Sequence, residues 1–91
     1  MTDVPKAISG KGLEACLIFG EASLAVHRMT EDLGLAGISS GPVAASHEEL
    51  LRAHDELRGL FGTGGTDGVA ELALTVLVLA ERTAMLLEES R

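Results

Sequence analysis

The chain has 91 residues, enough for one small domain and too few for two. Hydrophobic residues make up 46% of it, yet Trp and Tyr are absent and only two Phe occur, so the core must be built from Leu, Val, Ile, Ala and Met, a composition of packed helices rather than strands. The net charge is −7 with the basic residues scattered singly, which excludes a phosphate-neutralising stripe and with it nucleic acid and anionic membrane as partners.

One cysteine, Cys16, cannot make an internal disulfide, so a stapled secreted scaffold is excluded. The opening residues Met1–Lys6 lack a basic region followed by an apolar run, which is the pattern of a secretory signal. The expectation is a soluble, cytoplasmic chain whose acidity keeps it dispersed.

In chain order, Ser9-Gly-Lys-Gly12 reads as the boundary before a first helix over 13–33, with an earlier start at Asp3 as the alternative. Ala15, Phe19, Ala22, Val26, Met29 and Leu33 recur at spacings of four and three and make its apolar seam, widened by Ile18 and Ala25. Glu14, Glu21 and Arg28 fall two turns apart on the wet side. A further face carries Cys16, Gly20, Ser23, His27 and Thr30. Such a face is either a small-residue groove for a neighbouring helix or a ligand site.

Gly34 stands where a helix would be capped, and residues 34–45 read as a long connection broken by Gly37, Gly41 and Pro42. Ile38 and Val43 are expected to fold back onto the bundle. Ser46-His-Glu-Glu49 matches a capping box, which predicts a second helix over 46–61. Leu50, His54, Leu57 and Phe61 form its inward face, Leu51 and Leu60 lie beside it, and Glu48 and Arg52 can pair at one-turn spacing. The glycine-rich segment 62–68 ends this helix. It has the outline of a phosphate cradle but lacks the Lys-Ser/Thr of a P-loop and the preceding strand, so it reads as a connection.

Thr66 or Asp67 is expected to cap the last helix, over 67–89. Leu72, Val76, Leu79, Thr83 and Leu86 form one seam, with Ala73, Leu77, Ala80 and Ala84 forming a second, smaller one beside it. A helix apolar on most of its circumference is surrounded, so this one reads as central. Glu71 and Glu81 bracket only nine residues, about half of the roughly 20 needed to span a bilayer.

The histidines give no ligand pair with local spacing. His47 and His54 share a face but lie about 10 Å apart along the helix axis, and Cys16 and His27 about 16 Å, at 1.5 Å per residue. No nucleophile with an adjacent base can be argued, so neither catalysis nor a cofactor nor a resident metal is expected.

The predicted architecture is one all-α domain over 1–91, a three-helix up-down bundle completed by self-association into a homodimer or larger assembly. The expected function is a small acidic protein-interaction or self-assembly module, its partner a second copy of itself or another protein. Leu74, Val78, Met85 and Leu77 are the candidate interaction face. The rival expectation is a bundle holding a small apolar ligand or a metal between helices, near Cys16, Gly20, His27 and His54.

Overall fold

A computed structural model of the chain describes residues 10–64 and 68–90. Three helices occur, α1 (Gly10–Ala36), α2 (Gly41–Gly62) and α3 (Val69–Glu89), and the described residues include no strand. Each helix packs against both others, and α3 packs more extensively on α1 and on α2 than those two do on each other. None of the helices is long and apolar enough to cross a membrane.

The core of α1 follows the expected seam. Ala15, Ala22, Val26, Met29 and Leu33 are buried, and Ile18, Phe19 and Ala25 pack against them. The boundaries, however, move outward. The chain is already helical at Gly10, because glycine lowers helix propensity without forbidding a helix; the alternative start at Asp3 lies outside the described residues. At the other end Gly34 stays helical and Gly37 is the terminator, at φ 69°. Its N–H donates to the Gly34 carbonyl at 3.2 Å and that of Ile38 to the Leu33 carbonyl at 3.1 Å, the paired bonds of a Schellman end. That motif needs an apolar residue just after the glycine to meet one on the last turn. Gly37 provides it with Ile38 and buried Leu33, whereas Gly34 would have matched Leu35, which is exposed, with polar Thr30.

The capping box at Ser46 does not form. α2 begins five residues earlier, at Gly41, with Pro42 in its first turn and Ser40 in the cap position in extended conformation, making no side-chain cap bond. Gly41 has φ 88°, a turn that a side chain would strain, and Pro42 then sets the backbone dihedral for the helix. The dipeptide read as a breaker is the starter. The long connection over 34–45 therefore shrinks to Gly37–Ser40, a length that joins antiparallel neighbours.

Ser46 instead lies buried inside α2, 2.7 Å from the hydroxyl of buried Thr83 on α3. Thr83 donates its hydrogen to the Leu79 carbonyl at 2.8 Å, so Ser46 is the donor across the interface. Val43, Leu50, Ala53 and Leu57 complete the buried face of α2; Ala53 was not expected there, and Leu51 turns out to be exposed. The pair expected between Glu48 and Arg52 is not made; among the described residues the ion pair is Arg58–Asp55 at 3.8 Å, exposed and of little weight.

The core of α3 runs between the two expected seams, taking Val76 and Thr83 from one and Ala73 and Ala80 from the other, with Val69 and Leu87 at the ends. Leu72, Leu77, Leu79, Ala84 and Leu86 pack on its flanks. Gly68, at φ 81°, occupies the cap position without a side-chain cap bond. Thr66 and Asp67, the expected caps, lie outside the described residues.

The buried hydroxyl pair has a testable signature. Ser46→Ala leaves an acceptor on Thr83 unpaired and should lower stability by about 1–2 kcal/mol, while Ser46→Ala with Thr83→Val should cost less than the sum of the two. Ser46→Asp separates the two roles of this residue: a cap tolerates aspartate, whereas a buried carboxylate should cost several kcal/mol, at least about 3. Urea midpoints of the wild type and the four variants check this.

Candidate functional site

Two kinds of feature stand apart from the core: a line of polar and aromatic contacts joining α1 to α2, and an exposed apolar face along α1 and α3. The first begins at Phe19, which stacks on Phe61 with ring centroids 4.3 Å apart and planes within 6°, and meets the ring of His54 at 6.3 Å. His54 Nε2 lies 3.0 Å from Ser23 Oγ, and two turns further along both helices His47 Nε2 lies 2.9 Å from Thr30 Oγ1. The pairings run in opposite chain directions on the two helices, which fixes α1 and α2 as antiparallel.

A Ser–His pair at 3.0 Å has the outline of a nucleophile and its base. Two parts of that chemistry are missing among the described residues. No carboxylate is hydrogen-bonded to the other ring nitrogen of His54, and Ser23 sits mid-helix, where backbone N–H groups are already used by the helix and cannot form an oxyanion hole. The pairs act as ties between helices. Burial, helped by the Arg58 guanidinium and opposed by Asp55, holds the His54 imidazole below its ordinary range.

The expected ligand face divides. Ser23 is half-buried and faces His54, while Cys16, Gly20 and His27 are exposed. A Cβ placed on Gly20 would meet no atom within 4 Å, so no neighbouring helix uses the glycine for close approach. His54 finds Ser23 rather than His27 across the interface. Among the described residues no group of three or more His, Cys, Asp or Glu side chains converges. A cavity of about 500 Å³ at the α1–α2 turn is lined by Thr30, Ser39, Ser40 and His47 among others, and one of about 590 Å³ lies over the outer surface of α2 beside His54.

The second feature is larger. Leu74, Val78 and Met85 are 53%, 65% and 59% exposed, while Leu77 is half-buried and packs on the core. The stripe has a counterpart that the sequence reading missed: Leu13, Leu17 and Leu24 on α1 are also exposed. Both sets are spaced i, i+4, i+11, so each forms a ridge on one side of its helix. The signal was present in the sequence but hidden by attention to Glu14, Glu21 and Arg28, taken as marking a wholly wet side.

A groove joins the two helices. Glu14, Leu17, Ile18 and Glu21 of α1 share a cavity of about 480 Å³ with Ala70 of α3. The first turns of α1 and α3 are thus side by side and the helices run parallel. From Ala70 the same flank of α3 continues through Leu74, Leu77, Glu81, Ala84 and Glu88, at alternating spacings of four and three. The matching flank of α1 is Glu14, Ile18, Glu21, Ala25, Arg28 and Asp32.

No family model matches this chain, and neither a curated protein nor a solved structure is found to be similar to it.

Two outcomes follow from this geometry. Gly20→Ala should raise stability by about 0.5–1 kcal/mol, since the added methyl meets open space and the unfolded chain loses freedom; thermal or urea melts check it. For His54, the folded-state pKa lies below the unfolded value of about 6.5, so its contribution to stability is complete above that pH and is lost as pH falls through the lowered folded value. Urea midpoints measured downward from about pH 7.5 should fall for the wild type, with a shallower slope in His54→Gln, which keeps a partner for Ser23.

Proposed function

We propose that this protein is a helical interaction module without catalytic activity, and that the outer side of the α1–α3 pair is its working surface. The observation that carries the reading is the ridge of exposed large apolar residues that each of these two helices carries. The core does not enclose them, and large apolar side chains grouped on an exposed helix face mark a contact site in soluble domains. Burying one such side chain contributes roughly 1.5–3 kcal/mol, so a handful of them can hold a complex together. The histidine–hydroxyl pairs support the reading from the other side of the molecule, since they tie α1 to α2 and leave the α1–α3 flank to a fourth helix. A cytoplasmic setting belongs to the same proposal.

Self-association is the form of this activity open to the isolated chain, and salt relieves the repulsion between two acidic copies. At high micromolar concentration and moderate salt, light scattering should report a mass above that of the monomer. Leu74→Glu with Val78→Lys should return it to the monomer while circular dichroism stays helical. A wild type that remains monomeric at every salt concentration removes self-assembly from the proposal. A double variant that unfolds shows that these side chains serve the protein's own core, and the reading of the face as a working surface then fails.

A further inference from the structure

The identity of the occupant can be argued from charge, taking the reading of the α1–α3 face as given. Acidic side chains are interspersed among apolar ones along both flanks of the groove. On α1, Glu14, Glu21 and Asp32 stand among Leu17, Ile18 and Ala25, and on α3, Glu81 and Glu88 stand among Leu74, Leu77 and Ala84. All five carboxylates are exposed, and among the described residues none of them is in an ion pair and Arg28 is the cation on these flanks. We infer that the groove receives a basic amphipathic helix, with Leu-like side chains on one stripe and Lys or Arg on its shoulders.

The length of the two helix flanks that continue from this cavity sets the length of the occupant. From Glu14 to Asp32, and from Ala70 to Glu88, a rise of 1.5 Å per residue gives about 27 Å, or five turns. A second copy of this chain fits the apolar ridges but would bring the same excess of carboxylates against itself, partly desolvated and with too few cations to answer them. A lysine or arginine stem, by contrast, covers a leucine while its head reaches the neighbouring glutamate. The interspersed carboxylates that penalise a second copy therefore favour a partner of opposite charge.

Three synthetic peptides of about 20 residues test this: a Leu/Lys amphipathic helix, the same composition in scrambled order, and a Leu/Glu helix of the same pattern. Each is titrated into the full chain with backbone amide spectra and calorimetry as readouts. The Leu/Lys helix should bind at least about tenfold tighter than either control, weaken as salt rises, and shift signals of α1 and α3 while leaving the exposed side of α2 unmoved. Leu17→Ser with Leu74→Ser, and separately Glu14→Gln with Glu21→Gln and Glu81→Gln, should each weaken it by about tenfold. Equal binding of the scrambled peptide, or shifts spread over α2, would mean diffuse attraction to an acidic protein and overturns the inference. Failure of all three peptides overturns it too; if the wild type then still associates through Leu74 and Val78, the face is an interface between copies and the interaction reading survives without this partner. Should the serine variant lose its helicity, the glutamine variant decides, because its exposed positions are dispensable to the fold.

Discussion

The packing of α3 between two neighbours is the constraint on which the rest of the structure depends. Ala73 and Ala80 are small enough to let both neighbours approach, and Val76, Thr83 and Leu87 fill the space between them. A helix flanked on two sides still has an outer arc, and α3 carries apolar residues further round than two neighbours can cover. The surplus of Leu74, Val78 and Met85 follows directly. α1 shares the problem through Leu13, Leu17 and Leu24. Each surplus lies on the side of its helix that faces away from the core, and Leu17 comes closest to α3, across from Ala70.

The number and type of the elements were legible because long 3.6-residue periodicities survive any shift of boundary. The ends were not. Gly34 and Gly37 carry the same glycine signal, and the apolar match between Leu33 and Ile38 across the helix end, which a count of breakers overlooks, selects the second. Ser46 and Glu49 satisfy a capping pattern that is equally a serine and a glutamate one turn apart inside a helix. What decides between them is Thr83, thirty-seven positions away, which gives the buried hydroxyl its partner. With Ser46 facing inward, the buried line of α2 runs through Ser46, Leu50, Ala53 and Leu57, which puts Ala53 rather than Leu51 in the core.

The candidate site was half legible. Three of its α3 residues could be named from an excess of apolar character, whereas the α1 ridge was obscured by charged residues set between its leucines. That interleaving is the chemical character of the face. A purely apolar stripe would favour any copy of itself, while carboxylates among the leucines raise the cost of a like-charged partner and lower that of a basic one. Two of the three histidines, His47 and His54, are used between α1 and α2, where Thr30 and Ser23 take them as hydrogen-bond partners, while His27 is exposed.

The claim underlying this account is that the leucine and valine side chains of the α1–α3 face are open to solvent in the folded single chain. Methyl relaxation in the presence of a neutral, water-soluble paramagnetic agent, recorded on dilute protein, reads this side chain by side chain. Methyls of Leu17, Leu24, Leu74 and Val78 should relax strongly, and those of Leu50, Leu57, Val76 and Leu87 should be shielded. Shielding of Leu17 and Val78 equal to that of Leu50 and Val76 would show that the face is already covered by the chain itself, and would contradict the account.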